Sequence, residues 1–280
     1  NPEQFIGIHF FSPVDKMPLV EVIVGEQTGE VAIAQALDYI QQIRKTPIVV
    51  NDSRGFYTSR VFGTYSKEGI MMLAEGVNPA LVENVSKHAG MPVGPLAVTD
   101  EVSIELSYHV LKMTKEGLGN DYVASSADGV ITKFIEELDR KGKKSGKGFY
   151  DYPEDGRKHL WPGLAEHYPL ADEQPDPEEV RKRILYVQAI DSVRCMDEGV
   201  VTHPADADIG SVFGWGFPPY TGGTISFIET VGLSKFVAEA DRLAEKYGAR
   251  FAVPDSLRTM AKKGETFYGR ADAESHRSAA

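Results

Sequence analysis

At 280 residues, with 42% apolar and 25% charged side chains, the chain is long enough for two domains with cores of their own, and its ordinary composition excludes a disordered or fibrous protein. A formal net charge of −11, from 30 basic against 41 acidic residues, argues against a nucleic-acid backbone or an anionic membrane as the main partner. Cys195 alone excludes an internal disulfide, and no apolar run approaches the roughly 20 residues that span a bilayer.

The chain opens almost directly on an apolar run, Phe5-Ile6-Gly7-Ile8, that ends on His9. A Phe10-Phe11-Ser12-Pro13 turn leads to a second, β-branched run from Leu19 to Val24 that contains Glu21. Two neighbouring buried strands are predicted. They put His9 at a strand end, where α/β sheets place their chemistry, and Glu21 within reach of one imidazole nitrogen. A carboxylate there fixes the tautomer and stabilises the imidazolium, which makes the histidine a general base toward an alcohol. Because a core strand needs neighbours on both sides, a chain that opens this way reads as a piece of a longer one.

Next comes a helix, with Thr28 as its predicted N-cap and Val31, Ala34, Leu37, Ile40 and Ile43 on its apolar face. Pro47-Ile48-Val49-Val50 reads as a third strand, so the opening unit is strand, strand, helix, strand. From Arg54 to Asp139 the pattern turns helical. Val61, Tyr65, Gly69, Met72 and Leu73 line one face, and Asn78-Pro79 starts the following helix. After the break at Met91-Pro92-Val93-Gly94-Pro95, Leu96 to Lys115 and Val130 to Leu138 complete a bundle.

Two glycine-bearing stretches imitate nucleotide loops and are read as structural. Lys141 to Gly148 has one residue too few between its glycines for a phosphate loop, and Gly214-Trp215-Gly216-Phe217-Pro218-Pro219 ends in prolines that cannot open a helix in that register. Nowhere does a Gly-x-Gly-x-x-Gly follow a strand. From Asp151 to Pro177 prolines, acids and small residues prevail, which reads as a linker with a few anchors.

Beyond it the chain repeats itself. Arg60 to Val77 aligns without gaps on Arg183 to Val200, Asn78-Pro79-Ala80 answers His203-Pro204-Ala205, and Asp100-Glu101-Val102 answers Glu229-Thr230-Val231. Two helical units of one ancestry that pack on each other are the simplest explanation. With no counterpart of the His9 segment before it, the second copy is expected to be a packing partner rather than a second active site.

The string His9-Phe10-Phe11-Ser12-Pro13-Val14, with Met17 and Leu19-Val20-Glu21-Val22-Ile23, resembles the catalytic segment of the 3-hydroxyacyl-CoA dehydrogenases. The resemblance implies His9 as general base and Glu21 as its orienter. Ser12 stands where the family commonly has an Asn at the nicotinamide side, and is the candidate cofactor contact. Ser59, in Gly55-Phe56-Tyr57-Thr58-Ser59-Arg60, stands where a second family Asn meets the substrate. Both changes exchange an amide for a shorter hydroxyl that can still donate. Phe213 replaces a Tyr that bacterial relatives often use for substrate, and is left out of the site.

The duplicated tail further resembles multifunctional β-oxidation enzymes of the complex α-subunit type. The expected fold is therefore mainly α: residues 1–52 are the C-terminal edge of a Rossmann-like NAD-binding domain, and 53–152 and 178–270 are two related helical domains. A linker at 153–177 joins them, and 271–280 is a frayed tail. The expected function is NAD-dependent oxidation of 3-hydroxyacyl-CoA to 3-oxoacyl-CoA, in a parent that is also an enoyl-CoA hydratase. The piece itself is expected to be inactive without the missing NAD-binding segments. The alternative is a non-catalytic helical dimerisation or assembly module of that complex, told apart by a size measurement and a cofactor titration. A 3-hydroxybutyryl-CoA dehydrogenase is disfavoured because such enzymes usually stop after one helical domain. A homo-oligomer, a thiolase subunit as partner and no metal are further expectations. The expected location is the bacterial cytoplasm or an oxidising organelle of fatty-acid catabolism.

Overall fold

The computed structural model describes residues 1–278, with side chains through 271 and at 273. The opening unit is the expected one: β1 (Gly7–Phe10), β2 (Leu19–Val24), α1 (Glu30–Gln42) and β3 (Thr46–Asn51). The sheet has the order β1-β2-β3, with β1 antiparallel and β3 parallel to the central strand, so β2-α1-β3 is a β-α-β unit. Only β2 is buried along nearly its whole length; β1, expected to be buried, is a half-exposed edge. Period-2 alternation sends Val20 and Val22 toward Ala36 and Ile40 of α1 and leaves Leu19, Glu21 and Ile23 on the opposite face.

In α1 the buried positions are Ala32, Ala36 and Ile40, and Val31, assigned above to the apolar face, is exposed. Thr28 is not the cap. Gly29 holds that position, while the Thr28 hydroxyl accepts from Gly25 N–H and donates to the Phe5 carbonyl. The i, i+4 row of Ala32, Ala36 and Ile40, with alanine at two of its three positions, fits α1 against the β-branched strand more closely than the wider row read from the sequence.

The remaining helices are α2 (Thr58–Ala74), α3 (Pro79–His88), α4 (Pro95–Val102), α5 (Ile104–Leu118), α6 (Ser126–Glu136), a short hairpin β4 (Tyr150–Asp151) and β5 (His159–Leu160), and α7 (Leu164–His167). After them come α8 (Pro177–Asp197), α9 (Pro204–Gly210), α10 (Thr224–Val231), α11 (Leu233–Tyr247), α12 (Asp255–Lys263) and α13 (Phe267–Ser278). They form two compact units that cut across the expected boundaries: residues 1–64 with 186–280, and residues 65–185. Helices α2 and α8 each begin in one unit and end in the other.

In the unit 65–185, Ile70, Leu73, Leu96, Ile104, Phe134 and Phe149 form one buried cluster, and Leu164 from the expected linker is part of it. Trp161 lies under the Arg140 guanidinium, 4.1 Å away, and Ala171 N–H donates to the Gly76 carbonyl. The stretch 153–177 is thus bound into the unit, its few apolar residues spent on anchors. Glu83 is buried against the start of α4, accepting from Leu96 N–H at 2.7 Å and Tyr150 OH at 2.7 Å. Asp100 accepts from Phe149 N–H and Tyr150 N–H. Arg183 pairs with Glu68 and Glu75.

In the other unit the same arrangement recurs with different residues. Asp208 accepts from Ile225 N–H at 2.7 Å and Tyr268 OH at 2.7 Å, Glu229 accepts from Phe267 N–H and Tyr268 N–H, and Arg60 pairs with Glu198 and Asp191. Phe267-Tyr268 thus stands to Glu229 as Phe149-Tyr150 stands to Asp100, a correspondence not read from the sequence. These anchors also account for α13. Residues 271–278, expected to fray, continue the helix that Phe267 begins, and 279 and 280 of that expected tail lie outside the described residues.

One backbone position separates the two arrangements. Ser103, between α4 and α5, adopts φ 99°, ψ 119°, whereas Gly232 holds the equivalent place at φ 88°, ψ 126°. A side chain there is strained by about 1–3 kcal/mol. Ser103→Gly is therefore expected to stabilise the protein by about 1 kcal/mol, after the few tenths lost with the cap to Leu106 N–H and the extra entropy of glycine are subtracted. Equilibrium urea unfolding measures it, and a destabilised variant would show that the cap outweighs the strain.

Candidate active site

His9 and Glu21 are directly opposed in the β1–β2 register, so their side chains leave the same face of the sheet. His9 Nδ1 lies 2.7 Å from Glu21 Oε2. The carboxylate is 0% exposed and the imidazole 29%. A carboxylate with no water must find donors in the protein, and Glu21 finds four. Besides His9, Thr58 Oγ1 donates to Oε2 at 2.6 Å, and the N–H groups of Thr58 and Tyr57 donate to Oε1 at 2.9 and 3.2 Å. The last two are orphan donors at the start of α2, so Glu21 caps that helix from a distant strand and sits at the positive end of its dipole.

An ionised carboxylate only accepts, which makes His9 Nδ1 the donor of their bond and leaves Nε2 of the neutral ring with a free lone pair. That is the arrangement of a base whose tautomer is fixed by its partner. The Phe11 and Phe56 rings flank the imidazole with centroids 4.6 and 5.8 Å away. Phe56 has φ 50° directly after Gly55 at φ 78°, and this pair of left-handed residues turns the chain sharply into α2. An aromatic residue there carries strain of a kind that concentrates at functional sites. Lys45 Nζ donates to the carbonyls of Val14 and Met17, both at 2.6 Å, and so ties down the loop after His9.

Of the four residues singled out in the sequence, the structure joins His9 and Glu21. Ser12, in the turn after β1, and Ser59, in the first turn of α2, are both exposed, and neither enters the hydrogen-bond set of the pair. Thr58 and Tyr57 were missed. A threonine at a helix start, one turn after a glycine, was the available signal for Thr58. Burial pushes the Tyr57 hydroxyl far above the usual phenol range, so it acts only as a neutral donor and acceptor.

A dinucleotide cofactor would need a place for its pyrophosphate. A pyrophosphate is held by free N–H groups at a helix start after a glycine-rich turn. Here the N–H of Gly29, at the start of α1, goes to the Glu3 carbonyl at 2.8 Å, and α1 carries Glu30 in its first turn. The N–H groups at the start of α2 are taken by Glu21. These residues do not fit a pyrophosphate.

Residues 1–53 match the family model of the 3-hydroxyacyl-CoA dehydrogenase NAD binding domain, and residues 55–152 that of the 3-hydroxyacyl-CoA dehydrogenase C-terminal domain. Among solved structures, a 3-hydroxybutyryl-CoA dehydrogenase from Escherichia coli K12 is similar, with TM-score 0.74 and 20% identity over 93% of this chain and 71% of that one. The dehydrogenase part of multifunctional enzyme 1 from C. elegans is similar with TM-score 0.67 and 26% identity, over 91% of this chain and 59% of that one. No helix among the described residues is long and apolar enough to cross a membrane. With two adjoining models matched in the family's own order, this chain belongs to the 3-hydroxyacyl-CoA dehydrogenase family.

Proposed function

We propose that this chain supplies the general base for oxidation of a 3-hydroxyacyl-CoA to the 3-oxoacyl-CoA. The observation that carries this reading is the 2.7 Å bond from His9 to a buried Glu21 that is otherwise filled by donors. His9 Nε2 takes the proton of the 3-hydroxyl, the charge that develops on the imidazole is stabilised by Glu21, and Thr58 with the start of α2 holds the Glu21 carboxylate in place. Ser59 is the candidate contact to the substrate and Ser12 to the cofactor, which by family is NAD.

The parent we favour is a multifunctional β-oxidation enzyme, in which residues 53–152 and 178–270 are two copies of one helical unit. The matched roles of Glu83 and Asp208, of Asp100 and Glu229, and of Arg183 and Arg60 support the duplication. Similarity to the C. elegans multifunctional enzyme supports the parent. The duplicated tail alone does not choose it, since the E. coli 3-hydroxybutyryl-CoA dehydrogenase is similar over 93% of this chain.

Glu21→Gln in the complete enzyme tests the base. The amide turns an N–H toward a cluster of donors, so the imidazole loses the acceptor that orients it, and kcat is expected to fall about 10²-fold with KM changed less than about twofold. Unaltered kcat would refute the role of the pair.

A further inference from the structure

The Tyr57 side chain ends in a polar clamp made by the second helical copy. Its hydroxyl donates to the Ala207 carbonyl at 2.9 Å and lies 3.1 Å from Ser192 Oγ and 3.2 Å from Thr224 Oγ1. Its ring meets Trp215 edge-on at 5.6 Å. The backbone N–H of the same residue donates to Glu21. One residue therefore ties the carboxylate that orients His9 to Ser192 of α8, Ala207 of α9 and Thr224 of α10, residues that all lie within the unit 1–64 with 186–280.

Two glycines bring the rest of that copy equally close. A Cβ on Gly214 would lie 3.0 Å from Leu19 Cδ2 and 3.1 Å from Thr58 Cγ2, and one on Gly210 would lie 2.8 Å from Ile48 Cδ1 and 3.0 Å from Tyr57 Cε1. Asn51, at the end of β3, donates through its N–H to the Val200 carbonyl at 2.8 Å and through Nδ2 to the Gly199 carbonyl at 2.7 Å. The sheet end and the start of α2 are thus fixed from the same side. In the first copy, the positions that answer Ser192 and Thr224 are Gly69 and Pro95, which carry no hydroxyl. The clamp is not a requirement of the helical fold.

We infer that the second helical copy is a positioning element for the His9–Glu21 pair, and that it acts through Tyr57. The inference rests on the proposed role of that pair. Tyr57 and its partners touch no reacting atom; they hold the N–H groups of Tyr57 and Thr58 where Glu21 needs them, and a misplacement near 1 Å in such a shell costs up to about 10²-fold in rate.

The test uses the complete enzyme carrying Ser192→Ala with Thr224→Val, and separately Tyr57→Phe as the milder change. Each is expected to lower kcat about tenfold with KM within about twofold, and to raise amide exchange over residues 54–60, read by mass spectrometry, about tenfold. Phe236→Leu, in the core of the same copy and stacked on Tyr186, is the control for stability alone and should leave kcat unchanged. Equal loss of kcat in the control at matched thermal stability, or unchanged kcat and exchange in both clamp variants, overturns the inference. Full activity of His9→Ala would instead sink the reading of the pair, while the exchange rates still report whether the clamp holds α2.

Discussion

Replacing His9 by Ala in the complete enzyme is expected to lower kcat by about 10²–10⁴, the usual worth of a positioned base, and to change KM little. The ring is 29% exposed and hydrogen-bonded on one side, so its removal leaves Glu21 with three of its four donors and the start of α2 in place. The cavity opens toward solvent, which is where an added base can enter. Free imidazole should therefore restore part of the activity, and the restored rate should follow the neutral fraction of the added imidazole as pH rises. A variant that keeps turnover, or one that loses it but is not rescued while still binding substrate, would count against proton transfer at this position.

The pair was legible because two β-branched runs joined by a turn can hardly avoid pairing, and the register needed only to bring residue 9 opposite residue 21. What holds the pair was not legible. Thr58 and Tyr57 act through backbone N–H groups and through hydroxyls that reach partners 37 to 167 residues away, and no local pattern encodes such distances. A similar limit explains α1, where the choice between the Val31 row and the Ala32 row depends on how close the strand lies. The stretch 153–177 reads as a linker because its composition is that of one. Its order comes from Trp161, Leu164 and Gln174, single residues that find partners in the unit 65–185.

The repeat was visible as sequence, but its energetic content lies in two buried acids that the alignment gave no reason to single out. Asp208 is 4% exposed and takes the N–H groups of Ile225 and Ser226, the Ser226 hydroxyl and the Tyr268 hydroxyl, while Glu83, 3% exposed, takes Leu96 N–H and Tyr150 OH. Each fills a space that a glycine leaves open: a Cβ would come within 2.4 Å of the carboxylate on Gly223 beside Asp208, and equally on Gly94 beside Glu83. Removing either acid strands buried donors at a helix start, a loss of about 1–3 kcal/mol for each group left without an acceptor.

Asp208→Ala is accordingly expected to cost about 3–4 kcal/mol and Glu83→Ala about 2–3 kcal/mol, both read from equilibrium urea unfolding. Combining Asp208→Ala with Tyr268→Phe should cost clearly less than the sum of the single changes, because the two side chains share one bond at 2.7 Å; Glu83→Ala with Tyr150→Phe should behave alike. Additive losses in either cycle would mean that the acid and the tyrosine do not act together. A cost below about 1 kcal/mol for Asp208→Ala would mean that the start of α10 is held by packing alone, and the matching hydrogen bonds would lose their weight as evidence of duplication.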